Sequence, residues 1–202
     1  MTSPGLLPSQ DSTPSSLLEQ LRAKERGAWE RFVHWVGPLV LYWCKRAGLP
    51  PEDRRDVFQE VFASTAKGID RFQPRPDASF RGWLHRITRN QITDLVRKRL
   101  RQIEASAAGG SDAYARLLNL AEEESGDIPP PKEEQLILLR QTMELVRSEV
   151  EPQTWAAFSL TTVEGLSAPD AAAQLGMNSD AVRRAKARVL TRLRQHLDGL
   201  QC

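Results

Sequence analysis

The chain has 202 residues, enough for one large domain or two small ones. Its 28 Lys and Arg nearly balance 26 Asp and Glu, but the charges are segregated: bases dominate residues 81–101 and 183–194, and acids dominate 104–134. Two distant cysteines and three histidines without ligand spacing predict neither a disulfide framework nor a metal site, and we expect no cofactor. No apolar run reaches the ~20 residues of a membrane span and the amino terminus lacks signal-peptide features, so we expect a cytoplasmic protein without membrane insertion.

The hydrophobic pattern predicts helices throughout the chain. Residues 1–16 are rich in Ser and Pro and predict a disordered tail. Helical periodicity then covers 17–32, 39–47, 51–67 and 80–101, and after an acidic, Gly- and Pro-containing stretch it returns at 133–150, 153–163, 168–175 and 179–197. A short helix over 114–120 is also compatible with the pattern. We therefore expect an all-α protein with a helical domain at 17–101, a flexible acidic linker at 102–132 and a second helical domain at 133–202.

The helix predicted at 51–67 has one polar face. Asp56, Gln59 and Glu60 lie on that face, opposite Val57 and Val61. Such a face suits a protein partner, although an ordinary solvated surface explains the pattern at least as well.

The loop from Phe72 to Phe80 contains two prolines, which exclude helix, and an aromatic residue stands at each end. An unpaired base taken from a duplex needs a pocket outside regular structure, which this loop could supply. A plain connection with Phe72 and Phe80 in the core explains the segment equally well.

The helix predicted at 80–101 has an apolar face and a cationic stripe. Leu84, Ile92 and Val96 share the apolar face. The other face carries Trp83 at its edge and the polar and basic residues Arg86, Arg89, Asn90, Thr93, Arg97 and Arg101. Guanidinium groups neutralise phosphates, Asn can bond a base edge and Trp can stack on a base, so the stripe favours nucleic-acid binding over a solvated face.

Near the carboxyl end, the Ser167–Asp170 capping pattern opens a short helix that ends before Gly176. A second helix follows from Ser179, with a buried stripe that includes Val182 and Val189 and with basic residues on its other side. This pattern is typical of a helix-turn-helix whose second helix enters the major groove. A helical hairpin with a basic surface is the simpler alternative.

Taken together, the motifs DVFQEVF, DRFxP and SFRGWLHRITRN, followed by GLSAPDAAAQLGMNSDAVRRAKARVLTRLR, resemble in order and spacing the bacterial sigma-70 family. The chain is most similar to its small two-domain members, the extracytoplasmic-function (ECF) sigma factors. The resemblance covers about residues 17–101 and 133–198. It implies that the first domain is sigma region 2 and the second is sigma region 4.

The resemblance also implies roles for particular residues. Asp56, Gln59 and Glu60 would dock on the beta-prime clamp helices of core RNA polymerase, and the second domain would contact the beta flap. Residues that would contact the melted minus-10 promoter element are Phe72, Phe80, Trp83, Arg86, Arg89, Asn90 and Arg97. Residues that would face the minus-35 element are Ser179, Asp180, Arg183, Arg184 and Arg188. An anti-sigma factor is a further partner compatible with the family.

Two other functions explain less of the chain. A stand-alone helix-turn-helix regulator accounts for the second basic helix but leaves the stripe at 86–101 and the polar face of the 51–67 helix unexplained. An enzyme acting on nucleic acid would need a metal cluster or an acid/base constellation, and the sequence contains no evident one. We therefore expect a promoter-specificity factor without catalytic activity of its own.

Overall fold

The computed structural model describes residues 17–73, 79–106, 114 and 131–201. The described part of the chain contains helices and turns but no strand, which confirms the all-α fold. The helices are α1 (Leu17–Arg22), α2 (Ala28–Arg46), α3 (Pro51–Gly68), a 3-10 turn (Ile69–Arg71), α4 (Phe80–Ser106), α5 (Lys132–Glu149), α6 (Pro152–Thr162), α7 (Ala168–Leu175) and α8 (Ser179–Gln201). The tail at 1–16, residues 74–78 and most of the linker, including the helix predicted at 114–120, lie outside the described residues.

The predicted boundary between the first two helices is wrong. The sequence predicts helices at 17–32 and 39–47, but the chain turns at Lys24 and Gly27, both with positive φ, and α2 then continues through Pro38. Pro38 cannot donate to the carbonyl of His34, and because His34 is exposed, water can satisfy that carbonyl. The proline is therefore tolerated inside the helix.

The core of the amino-terminal domain forms around α2. Phe32, Trp35 and Trp43 are buried on this helix, and Phe32 makes edge-to-face contacts with Phe62 of α3 and Phe80 of α4. Such aromatic pairs add stability beyond the area that they bury. The core thereby fixes α3 and α4 on one side of α2.

Helices α3 and α4 run antiparallel. Gln91 of α4 donates to the hydroxyl of Ser64 near the end of α3, and Arg99 near the end of α4 bonds to Asp53 at the start of α3. The two helices therefore present their outer faces side by side.

The carboxyl-terminal domain has a core of small and medium side chains. Ala157 of α6, Ala171 and Ala172 of α7, and Val182 and Ala185 of α8 are buried together. Small residues allow α7 and α8 to approach closely, as the helix-turn-helix pattern predicts. A neighbouring cluster of Val146, Phe158, Val189 and Leu193 joins α5 to α6 and α8.

The two domains are packed against each other. Leu138 and Leu145 of α5 and Leu200 of α8 belong to the same buried cluster as the amino-terminal core, and α5 lies along α2. The indole Nε1 of Trp35 donates to the hydroxyl of Thr142 across this boundary at 3.0 Å. The sequence patterns, which indicate two helical domains on a tether, did not predict this contact.

Candidate nucleic-acid interface

The polar face of α3 is open to solvent. Asp56, Gln59 and Glu60 are all exposed, whereas Val57 and Val61 of the same helix are almost completely buried. Asp56 lies 3.8 Å from the guanidinium of Arg99, and its side chain is 56% exposed. The structure thus brings the three residues together on one accessible surface that carries negative charge.

A buried carboxylate underlies this face. Asp53 accepts two hydrogen bonds from Arg99, at 2.7 and 3.1 Å, and one from the hydroxyl of Tyr114 at 2.8 Å. The hydrogen bond and the charge of Asp53 raise the pKa of the Arg99 guanidinium. Burial, followed by the hydrogen bond to Asp53, raises the pKa of the Tyr114 phenol above its ordinary value of 10.0. Tyr114, a residue of the acidic linker, is thereby attached to the base of α3.

The cationic stripe of α4 also faces solvent. Arg86, Asn90 and Arg97 are exposed and Arg89 is half-buried, whereas Leu84, Ile92 and Val96 of the same helix are buried in the core. Four residues predicted from sequence thus lie along one side of a single helix. Since α3 lies beside α4, the acidic and the basic surface adjoin without overlapping.

The aromatic residues around the 72–80 loop form a cluster. Phe72 is 8% exposed, Phe80 is fully buried and Trp83 is half-buried, and the ring of Phe72 lies 5.3 Å from Phe80 and 5.0 Å from Trp83. The Trp83 ring also packs directly on Gly68, where a Cβ would come within 2.9 Å of it. Phe72 and Phe80 therefore fix the two ends of the loop from within the core, and Trp83 covers the cluster. Residues 74–78 between them lie outside the described part.

Both ends of α7 and the start of α8 carry helix caps. Ser167 accepts a hydrogen bond from the backbone N–H of Asp170 and so caps α7. Gly176 has φ of 63°, a left-handed conformation that ends α7 at the turn. The side chain of Asn178 then accepts a hydrogen bond from the N–H of Ala181 at 2.7 Å and caps the start of α8. The predicted motif is present with its turn at Gly176.

The first turns of α8 display the residues predicted to contact the minus-35 element. Asp180, Arg183, Arg184 and Arg188 are exposed, and Ser179 is half-buried. Arg183 donates to Asp180 at 2.6 Å, an i,i+3 pair at the surface. Val182, Ala185 and Val189 hold the opposite side of the helix in the core. The arrangement presents guanidinium groups at the amino-terminal end of a helix, as major-groove recognition requires.

An apolar groove of about 410 Å³ lies between α5 and α6, and the sequence patterns did not predict it. Leu136 and Leu139 on its α5 wall are 65% and 44% exposed, and its other lining residues include Met143 and Trp155. The helical pattern predicts only a core position for Trp155. The signal in the sequence was the run Leu136–Leu139, which gives α5 apolar residues on two sides rather than one.

The sequence patterns also did not predict the hydrogen bond between Tyr114 and Asp53. Charged residues are mostly exposed, so nothing in the pattern of α3 set Asp53 apart from Glu52 or Asp56. Only the tertiary structure places Arg99 and Tyr114 beside it, from 46 and 61 positions away.

No group of three or more His, Cys, Asp or Glu in the described residues could hold a metal ion. No helix among residues 17–73, 79–106 and 131–201 is long and apolar enough to cross a membrane.

Comparisons with known proteins agree with this geometry. The family model for sigma-70 region 2 matches residues 32–102, which include α3 and most of α4. RNA polymerase sigma factor CnrH of Cupriavidus metallidurans is 31% identical over 187 residues, which cover 91% of this chain and 93% of CnrH. The ECF sigma factor SigE of Mycolicibacterium smegmatis is 30% identical over 174 residues, covering 84% of this chain and 62% of SigE. Sigma factor NccH of Alcaligenes xylosoxydans is 27% identical over 192 residues, covering 94% and 97%.

A stand-alone helix-turn-helix regulator would not account for likeness along both domains, nor for a sigma-70 region 2. The exposed α3 face and the basic side of α4 lie within the residues that the region 2 model matches, and the likeness to CnrH covers 91% of the chain. This chain therefore belongs to the sigma-70 family of RNA polymerase sigma factors, in its extracytoplasmic-function group.

Proposed function

We propose that this sigma factor directs core RNA polymerase to promoters through three separate surfaces. The observation that carries the proposal is that charged and amide side chains of each set face solvent on a helix whose opposite side is buried. Side chains that are exposed on rigid helices can meet a partner without rearrangement of the core. The polymerase supplies the chemistry of RNA synthesis, and this chain supplies promoter specificity.

The first surface is the α3 face. Asp56, Gln59 and Glu60 dock on the beta-prime clamp helices of the polymerase. Two carboxylates and an amide on one exposed face complement a basic protein surface. This face adjoins the α4 stripe without overlapping it, so docking leaves the stripe accessible to DNA.

The second surface is α4 with the loop before it. Arg86, Arg89 and Arg97 follow the backbone of the melted minus-10 strand, and Asn90 bonds a base edge. The loop receives a base flipped out of the duplex, while the buried Phe72 and Phe80 rings hold its ends and Trp83 packs against both rings. Rigid loop ends reduce the entropy lost on capturing the base.

The third surface is the start of α8. Ser179, Arg183, Arg184 and Arg188 face the minus-35 major groove, and Asp180 orients Arg183 through their 2.6 Å contact. Asn178 caps the amino terminus of the helix. The cap fixes the position from which these side chains reach into the groove.

The groove between α5 and α6 is a further contact with the polymerase. Exposed Leu136 and Leu139 beside Met143 and Trp155 fit an apolar helical element, and we assign them to the beta flap. This contact would hold the second domain on the enzyme while α8 reads the DNA.

These assignments divide the chain into region 2 at 17–101, an acidic linker at 102–132 and region 4 at 133–202. The linker passes toward the RNA exit path, where its acids mimic nucleic acid in a positive channel. The protein acts in the bacterial cytoplasm with the polymerase. An anti-sigma factor that restrained it would do so by covering the α3 face or the start of α8.

Run-off transcription tests the proposal. Purified protein is added to sigma-free bacterial core polymerase on a library of promoter fragments from the source genome. We expect defined start sites only when the protein is present, with a shared sequence at both the minus-10 and minus-35 positions. Co-migration with core but no start sites on any fragment would overturn the promoter-melting role. Absence of both would overturn the docking role.

A further inference from the structure

Helix α1 lies before the part of the chain that the region 2 model matches, and it carries none of the residues of the three proposed surfaces. Its apolar side chains Leu17, Leu18 and Leu21 are almost completely buried and pack in the same core as α2, α3 and α4. The chain turns soon afterwards at Lys24, whose φ is 54°. Arg22, in the last turn of α1, therefore extends from a firmly packed helix.

Arg22 reaches from α1 to the residue at which the 72–80 loop begins. Its Nη2 donates to the backbone carbonyl of Phe72 at 3.0 Å, and its guanidinium carbon lies 5.9 Å from the centre of the Phe72 ring. A guanidinium at this distance is attracted by the electrons of an aromatic ring. One side chain therefore holds both the backbone and the ring of Phe72.

The surroundings of Arg22 indicate that it does more than fill space. Its Nε is buried and has no hydrogen-bond partner among the described residues. A buried donor without a partner costs free energy, and an apolar side chain such as methionine would occupy the same half-buried position without that cost. What arginine adds here is the bond to the Phe72 carbonyl and the contact with the ring.

The Phe72 carbonyl controls the direction in which the loop leaves the core. Phe72 follows the 3-10 turn and has φ of −68° and ψ of 122°, so the backbone becomes extended there. Its N–H is bonded to the carbonyls of Gly68 and Ile69. Its own carbonyl belongs to the peptide group shared with Gln73, so rotation about ψ would swing the carbonyl and the start of the loop together. The bond from Arg22 opposes that rotation.

The other end of the loop is fixed differently. The hydroxyl of Ser79 accepts a hydrogen bond from the N–H of Gly82 at 3.0 Å and caps the start of α4, and the Phe80 ring that follows is fully buried. This cap belongs to the helix that carries the cationic stripe, whereas the bond to Phe72 comes from α1. The loop is thus held between α4 and a helix outside the region 2 match.

We propose that Arg22 is a positioning residue for base capture, an inference that rests on the proposed capture of a flipped base by the 72–80 loop. Arg22 acts through Phe72 by setting the direction in which the loop begins. When the loop entrance can rotate, only a fraction of the molecules presents the conformation that captures the base, and the apparent affinity for that base falls by the same fraction. Arg22 is not part of the α3 face, so core binding does not depend on it.

Amide relaxation measured by nuclear magnetic resonance tests the anchor in the free protein. Arg22→Met keeps an unbranched apolar stem and removes the donor and the charge. We expect a shifted amide resonance and a lower order parameter for Gln73, because its N–H belongs to the peptide group that Arg22 holds. Arg26→Met makes the same change at an exposed position of the following turn and should leave Gln73 unaltered. An unaltered Gln73 in Arg22→Met would overturn the anchor.

Base discrimination tests what the anchor does. On a promoter recovered by run-off transcription, 2-aminopurine replaces each non-template base of the minus-10 element in turn, and its fluorescence rises where a base leaves the stack. With wild-type protein on core polymerase, we expect a rise at one position and a preference for one base there. In Arg22→Met both should fall by up to about tenfold, the effect of one charge-assisted hydrogen bond, while co-migration with core is retained. Arg26→Met should behave as wild type does.

The outcomes separate a positioning role from a structural one. Wild-type base preference in Arg22→Met would overturn the proposal. Loss of core association, or an equal loss of transcription whichever base is present, would show that Arg22 serves the fold, and this too would overturn the proposal. No fluorescence rise at any position with wild-type protein would instead overturn base capture by the loop, and the Gln73 measurement distinguishes that failure from failure of the anchor.

Discussion

Asp53 and Arg99 are joined by two hydrogen bonds, of 2.7 and 3.1 Å, where the start of α3 meets the end of α4. Asp53 is completely buried, and Arg99 extends from it toward exposed Asp56. The pair therefore fixes α3 to α4 at the point where the acidic and the basic surface adjoin.

Replacement of Asp53 by Asn should lower the free energy of unfolding by about 1–3 kcal/mol, since the charge-assisted bonds disappear although partial exposure of Arg99 softens the effect. Urea unfolding followed by circular dichroism measures the change. Asp94→Asn, an exposed acid on α4, is the control and should be nearly neutral. Equal effects at the two positions would contradict a special role for the buried pair.

The Tyr114 phenol should ionise at a higher pH than an ordinary tyrosine. Because its pKa in the folded protein is raised above 10.0, the protonated form stabilises the fold, and this contribution is fully present below about pH 10 and disappears as the pH rises through the raised pKa. The tyrosinate absorbance of wild type minus that of Tyr114→Phe isolates this titration from that of Tyr42. In Asp53→Asn the same difference should move to lower pH, and an unmoved titration would show that Asp53 does not hold the phenol.

Charge reversal on α3 should remove core binding without unfolding the protein. In Asp56→Arg/Glu60→Arg both side chains are exposed, so we expect loss of co-migration with core polymerase and only a small decrease in melting temperature, from the lost contact between Asp56 and Arg99. Glu164→Arg reverses an exposed acid in the turn after α6 and should bind as wild type does. Retained association of the double variant would place the docking surface elsewhere.

Removal of guanidinium groups at the start of α8 should weaken minus-35 recognition. Where the guanidinium bonds to a base, Arg184→Ala and Arg188→Ala should each weaken binding by about 1–3 kcal/mol, and promoter preference at that base should relax. Where it bonds to a phosphate, the substitution should weaken binding to all sequences alike and reduce the salt dependence. Arg194→Ala, exposed two turns further along α8, is the matched control and should leave the preference unaltered.

The small-residue core of the helix-turn-helix should resist enlargement. Ala172 is 5% exposed among Ala157, Val182 and Ala185, so Ala172→Leu should overpack the contact and destabilise the protein by about 1–3 kcal/mol. Ala173, the next residue, is exposed, and Ala173→Leu should have little effect. Thermal unfolding of the two variants measures the difference. Similar melting temperatures would mean that the space around Ala172 can accept a leucine side chain.

The sequence predicts the structure best where local periodicity decides which residues are exposed. The exposed Asp56, Gln59 and Glu60, the cationic side of α4 and the turn at Gly176 follow from spacing alone, because helix geometry assigns residues to faces before tertiary structure forms. Phe72 and Phe80 were ambiguous, since an aromatic residue beside a loop suits a core and a stacking surface equally. Their burial was settled by contacts with Phe32 and Trp83.

Features that depend on distant partners could not be anticipated. Nothing near Thr142 or Glu134 indicates that a residue of the other domain will bond to it. At Pro38 a local pattern gives the wrong prediction. Proline usually ends a helix, but here the helix continues because residues on both sides of Pro38 pack in the core. The misplaced boundary of α2 has the same origin.

The contact between Gly68 and Trp83 has a consequence for natural variation of the sequence. A methyl group at position 68 would come within 2.9 Å of the indole, so the ring would have to tilt away from Phe72 and widen the base of the loop. Homologues that carry a larger residue at position 68 should therefore carry a smaller one than Trp at position 83. If the loop captures a base as proposed, substitution at one of these positions alone should alter which promoters are opened.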